Sequence, residues 1–279
     1  MICMAELCEV QHDERAASWP ALPGFTTPPV DIVARLGELG PEPCLFTMGA
    51  TGRDRMLDGS QLLARIGGAI RALSAAGFQS GSSATLCAPL GPSFVGATVA
   101  VLAMGGYLRL QPEPTSPVGV APNGNGLTQP GLAARSPWLW LEDSAKPSSF
   151  IPLDELADWP DFAGQATSLV SSSSGTVSSG TEMSGFLNLV AWGLRLLNQS
   201  NTSGRDVLAV GGSAPYALWS VAIVLAALAS QVPLLCVDRA YAQRHPHRTA
   251  EQFRAVGVTK VSGLVGSDET IANVATSVP

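Results

Sequence analysis

The sequence predicts an α/β fold, a layered and mostly parallel sheet structure around one continuous core. Three observations predict it. Segments with helical periodicity alternate with short apolar runs of strand length. A chain of 279 residues is long enough to bury a substantial core. A composition of 46% hydrophobic and 14% charged residues, with a mean hydropathy of +0.23, fits strands covered on both faces better than a sheet with one wet face.

Taken in order, residues 1–30 form a Pro-containing N-terminal arm, Asp31 to Leu39 a short helix and Cys44 to Met48 a strand, followed by a turn with Gly49 and Gly52. From Asp58 to Ala76, Leu62, Leu63, Ile66, Ile70 and Leu73 recur at helical spacing, and Gly77 stands where a C-cap glycine belongs. Ala84 to Ala88 reads as a strand, Pro92 opens a helix through Met104, and Tyr107 to Gln111 reads as the next strand. That βαβ unit favours parallel pairing with a right-handed crossover. Residues 112–137, dense in Pro, Gly and Asn, read as a long loop before a strand at Pro137 to Asp143.

The alternation resumes after a low-complexity stretch that begins at Ser168. Phe186 to Leu197 reads as a helix, Val207 to Val210 as a strand, Trp219 to Ser230 as a helix and Pro233 to Val237 as a strand. Thr249 to Ala255 is then a helix and Lys260 to Leu264 a last strand. The expected organisation is an arm (1–30), a first α/β half (31–165) and a second α/β half (166–279) packed against it as one unit.

Composition also excludes partners. A formal net charge of -6 without any Lys/Arg run gives no footprint for nucleic acid. The opening segment has no basic region followed by an apolar run, which predicts a cytoplasmic protein and makes the sequons at Asn198 and Asn201 incidental. The most apolar stretch, Ala217 to Val232, falls short of the ~20 residues of a membrane span and reads as a buried helix. Five cysteines (Cys3, Cys8, Cys44, Cys87, Cys236) without a CxxC pair argue against a disulfide framework and a zinc site, so a functional cysteine would act as a thiol.

The segment DGSQLLARIGGAIRALSAAGFQSG, followed by ATLCAPLGPSFVGATVAVLAMGGYLRL, resembles the N-terminal region of acyl-CoA synthetases and peptide-synthetase adenylation domains. DVLAVGGSAPYALWSVAIVLAALASQVPLLCVD, with FRAVGVTKVSGL after it, resembles the second α/β half of that adenylate-forming superfamily. The resemblance implies the superfamily's N-terminal domain fold, without its C-terminal domain. In that family a Ser/Thr/Gly-rich loop ending in Pro-Lys-Gly cradles the ATP phosphates. Here the corresponding segment, Ser171 to Gly185, reads SSSSGTVSSGTEMSG, with no lysine and with Glu182 adding negative charge. The expectation is a protein that is not an ATP-dependent ligase and uses no cofactor or metal.

Ligands of open parallel sheets collect beyond the C-terminal ends of the strands. Cys87 ends one such strand, Glu113 follows the adjacent one in a PEP step, and His245 and His247 follow the strand VPLLC. A thiol, a carboxylate and an imidazole on one rim are what nucleophilic acyl transfer needs: the imidazole takes the thiol proton, the carboxylate orients the imidazole, and the thiolate attacks a carbonyl. Each residue alone has a plainer reading, as an inert buried cysteine, a solvated loop charge or a surface loop. Cys236, also near a strand end, is the rival nucleophile.

A chain of this length with Cys, acid and His in this order is similar to the Dieckmann cyclases of tetramate and pyridone antibiotic biosynthesis, which use a Cys-Asp-His triad. Here Glu113 stands where that family has Asp, and the histidine is His247 or His245. The resemblance implies a carrier-bound N-(β-ketoacyl) aminoacyl thioester as substrate and an acyl or peptidyl carrier protein of a polyketide/peptide synthetase as partner. Backbone N–H groups around Ser173, Ser174, Gly175 and Thr176 are the candidate oxyanion hole. The alternatives are a Cys-dependent thioesterase or acyltransferase and a non-catalytic adenylation-like remnant that docks a carrier protein.

Overall fold

The computed structural model describes residues 32–48, 55–88, 90–110, 138–141, 150–152, 175–179, 182–211, 218–237 and 239–262. The N-terminal arm and the long loop expected at 112–137 lie outside them. In chain order the elements are α1 (Ile32–Leu39), β1 (Pro43–Met48), β2 (Arg55–Asp58), α2 (Gly59–Ala75), β3 (Ser83–Cys87), α3 (Pro92–Ala103), β4 (Tyr107–Leu110), β5 (Trp138–Leu141) and β6 (Phe150–Pro152). They continue with β7 (Thr176–Ser179), β8 (Glu182–Gly185), α4 (Phe186–Gln199), β9 (Leu208–Val210), α5 (Leu218–Ala229), β10 (Leu234–Val237), α6 (Arg239–Arg244), α7 (Pro246–Val256) and β11 (Lys260–Ser262).

Local chemistry sets the ends of α2. The Gln61 N–H donates to Asp58 Oδ1 at 2.7 Å and the Asp58 N–H donates to Gln61 Oε1 at 3.1 Å, a reciprocal capping box. At the other end Gly77 takes φ +85°, its N–H donates to Ser74 O, and the Phe78 N–H donates to Leu73 O. This paired closure needs a left-handed residue, which is why glycine stands there.

The strands form two sheets. The first has the order β11-β9-β10-β1-β2, parallel except for the antiparallel edge strand β2. The second has the order β6-β5-β3-β4-β7-β8, with a parallel core β3-β4-β7 flanked by the antiparallel strands β5 and β8. Each sheet takes strands from both sides of the boundary expected near residue 165, so the two halves interleave and neither owns a sheet. Helix α2 carries the chain from the first sheet to the second, and α4 carries it back.

The pleat sorts the side chains. In the first sheet Leu208, Val210, Leu234 and Cys236 join the main core together with Ala84, Leu86, Leu108, Leu110, Leu139 and Val177 of the second sheet and the buried faces of α2, α3, α4 and α5. The alternate residues Ala209, Leu235 and Val237 pack with Ala242, Phe253 and Val258, so α6 and α7 cover the opposite face of the first sheet. Helices α3 and α5 are buried over nearly all their length, as expected of helices enclosed in the core. Glycine makes two close approaches possible: a Cβ at Gly175 would lie 2.7 Å from Leu102 Cα, and one at Gly193 would lie 2.0 Å from Ala222 O.

Candidate active site

Three parallel strands of the second sheet end level with one another. Leu86 of β3 pairs with Leu110 of β4, and Leu110 pairs with Ser179 of β7. Cys87 is the last residue of β3 and pairs with Trp138 of β5. It therefore stands at the C-terminal edge of the parallel core, where open α/β sheets gather ligands. The chain turns through Gly91, the N-cap, into α3, so that helix begins on the same edge. Glu113, three positions beyond the end of β4, lies outside the described residues, as do Ser173 and Ser174.

The histidines are delivered by the other sheet. β10 ends at Val237 between β1 and β9, and α6 leads to His245, the residue before α7. The rim expected to carry Cys87 and an imidazole together is thus two rims: β3 and β10 are not strands of one sheet. Both histidines are exposed. The His245 ring packs against Tyr241 with centroids 4.7 Å apart; the backbone N–H of His245 donates to Tyr241 O, and its backbone carbonyl accepts from the Thr249 N–H and hydroxyl. His247 sits in the first turn of α7.

Of the proposed oxyanion residues, Gly175 and Thr176 are among those described. Thr176 pairs with Tyr107, and Tyr107 with Ser83, so Thr176 is level with the first residue of β3 and not the last. Four residues of strand separate those levels, about 13 Å. The Thr176 N–H donates to Gly106 O, and Gly175 O accepts from the Phe186 N–H. Within what reads as a low-complexity serine-rich loop, Thr176–Ser179 and Glu182–Gly185 are the antiparallel strands β7 and β8. Only Val177 in β7 is fully buried, too little apolar signal to reveal period-two alternation in the sequence.

Two rival thiols are disposed of by their surroundings. Cys236 is fully buried within the main core, and burial pushes its pKa up to about 12. Cys44 is buried too; burial, and then the charge of Asp58, push its thiol up to about 12, while its Sγ–H donates to Leu57 O at 3.5 Å. Neither is a usable nucleophile at neutral pH. Among the described residues no cluster of His, Cys, Asp and Glu could hold a metal ion, and no helix is long and apolar enough to cross a membrane.

No family model matches the chain, and no curated protein matches it. Solved structures do. A fatty acyl-adenylate ligase from L. pneumophila, in complex with acyl adenylate and pyrophosphate, superposes with a TM-score of 0.58 at 13% identity, covering 83% of this chain and 43% of that one. The adenylation domain of a keto acid-selecting NRPS module, bound to keto acyl adenylate, gives 0.60 at 9%, covering 83% and 45%. CmiS6 gives 0.57 at 15%, covering 88% and 63%. The fold is that of the N-terminal domain of adenylate-forming enzymes. This chain spans about half the length of those proteins, and identities this low carry the fold alone.

Proposed function

We propose that this adenylation-like domain is a Cys-dependent Dieckmann cyclase acting on a carrier-bound N-(β-ketoacyl) aminoacyl thioester, and not an ATP-dependent ligase. The observation that carries the reading is the position of Cys87 at the C-terminal edge of β3, on the strand neighbouring the one that leads to Glu113, while the burial of Cys44 and Cys236 removes them as competitors.

The chemistry balances without water or a cofactor. An imidazole, from His247 or His245, takes the Cys87 proton, and the thiolate attacks the thioester carbonyl. The carrier thiolate leaves with the proton held by the imidazolium. The same imidazole then removes a proton from the methylene between the two carbonyls of the acyl-enzyme. The enolate carbon attacks the acyl-enzyme carbonyl, a C–C bond forms, the C–S bond breaks, and Cys87 recovers its proton. The product is a tetramate or pyridone. Glu113 would orient the imidazole.

The position of both histidines at the start of α7, beyond β10 of the other sheet, favours a second reading, a non-catalytic module that docks a carrier protein. A Cys-dependent thioesterase or acyltransferase shares the first half of the mechanism. Incubation with a carrier-bound substrate and chromatography of the released material separates the three. A cyclic product lost in Cys87→Ala supports the cyclase. A linear acid lost in the same variant replaces it with the hydrolase. Carrier binding without release, unchanged in Cys87→Ala, replaces it with the docking module.

A further inference from the structure

Helices α6 and α7 cover the outer face of the first sheet through Ala242, Phe253 and Val258. Their other side is exposed, and its charge differs from that of the rest of the chain. Between Asp238 and Glu251 the sequence has no acid, yet it holds Arg239, Arg244, Arg248 and both candidate histidines. Arg244, His245, His247 and Arg248 are all exposed, and Arg254 is exposed further along α7, beyond the acid Glu251. On α1 the cation is matched instead: the Arg35 guanidinium lies 2.8 Å from the Glu38 carboxylate.

Helix energetics account for part of this pattern. Arg244 stands in the last turn of α6 and Arg254 in the last turn of α7, where a cation suits the negative end of the helix dipole. His247 and Arg248 stand in the first turn of α7, at the positive end, with no acid in that turn and no side-chain cap. A cation there works against the helix. The same chain shows the alternative at α2, whose first turn is capped by Asp58. Residues that break a local rule without a gain inside the fold point to a task outside it. In a chain of formal charge -6, an acidic partner is repelled by the molecule as a whole and drawn to the place where cations collect.

We propose that the exposed side of the α6–α7 junction, centred on Arg244, His247 and Arg248, is the surface that receives an acidic carrier protein. The proposal rests on the carrier-bound substrate of the proposed function, and it seats the carrier beside the two candidate bases. Fluorescence anisotropy with a labelled acidic acyl carrier protein in its apo form, bearing no thioester, tests the surface apart from the chemistry. The expected result is saturable binding at low ionic strength that weakens as salt is added. Arg244→Glu with Arg248→Glu should lower affinity about tenfold or more. Arg195→Glu with Arg205→Glu, an equal change of net charge at exposed positions, should leave it near wild type. Arg248→Glu alone suits the dipole of α7, so its weaker binding at an undiminished Tm separates lost docking from lost folding. Absence of binding by the wild type, binding indifferent to salt, or an equal loss in the matched control overturns the proposal. Salt-sensitive binding kept in Cys87→Ala, with no cyclic product from wild type, would sink the cyclase reading and leave the surface standing. Cyclic product released by the Arg244 and Arg248 double variant at an unchanged KM for the carrier would do the reverse.

Discussion

Replacing Gly193 with alanine tests the enclosed helical layer on which both sheets rest. Gly193 lies where α4 crosses α5, and a Cβ added there meets Ala222 O at 2.0 Å, the Ala222 carbonyl carbon at 2.6 Å and Ala226 Cβ at 2.6 Å. Carbon approaches a carbonyl oxygen to about 3.3 Å at the closest, so the helices must part by about 1.3 Å. That opens an interface in which Leu189, Val190, Leu197, Val221 and Leu225 are all buried. Overpacking of this kind costs ~1–3 kcal/mol, and a backbone obstacle cannot rotate away, so the upper part of the range applies. The better helix propensity of alanine returns ~1 kcal/mol. The net expectation is a loss of about 2 kcal/mol, or roughly 4–8 °C in Tm.

Gly37→Ala in α1 is the matched control. Its nearest neighbour would be Leu63 Cδ1 at 3.9 Å, so alanine enters open space and should gain about 0.5–1 kcal/mol. Urea unfolding of the three proteins at one pH measures both differences. A Gly193→Ala protein as stable as wild type, alongside a Gly37→Ala protein that gains as expected, would refute the close crossing of α4 and α5.

Three further outcomes follow from single groups. Thr98 Oγ1 is buried with no hydrogen-bond partner, so Thr98→Val should raise stability by about 1 kcal/mol in urea unfolding, and a loss would show that the hydroxyl has a partner. Thiols held near 12 are only about one part in ten thousand ionised at pH 8, so Cys44 and Cys236 should resist iodoacetamide in the native protein and react in denaturant; native labelling of either contradicts its burial. Burial alone would raise the Asp206 carboxyl. Hydrogen bonds from the Ser203 N–H, the Thr259 hydroxyl and the Ser203 hydroxyl, with Lys260 nearby, outweigh it and hold the pKa below 3.8. The resulting stability is fully present above 3.8 and disappears as pH falls through the lower folded value. The gap between wild type and Asp206→Asn should therefore be widest near neutral pH and narrow in acid; a gap constant across pH would rule out the carboxylate as its source.

The sequence made most elements legible because their signals are local. The periodicity of Leu62, Ile66, Ile70 and Leu73, and the glycine after Ala76, place α2 to within a residue or two of Gly59–Ala75. Pro92 marks the first residue of α3. The strand pair β7 and β8 was hidden by polarity, and β2 and β6 by brevity at three or four residues. The partition into two sheets was hidden for a deeper reason. A strand-helix-strand segment has the same pattern whether the helix returns the chain to its own sheet or carries it to another, as α2 and α4 do. That ambiguity put Cys87 and the histidines on one rim in the sequence and on two in the structure. The burial that sets Cys44 and Cys236 apart from Cys87 as candidate thiols is likewise something spacing cannot show.

The account rests most directly on acyl-enzyme chemistry at Cys87. Intact-mass measurement after adding an N-acetoacetyl-aminoacyl thioester to wild type, Cys87→Ala, Cys236→Ala, His245→Ala and His247→Ala addresses it. The account predicts a cyclised product and a transient acyl adduct in wild type and Cys236→Ala. Both should be missing in Cys87→Ala, with product also lost in one histidine variant. An adduct that persists in Cys87→Ala, or no adduct and no turnover in wild type across several thioesters, would contradict it.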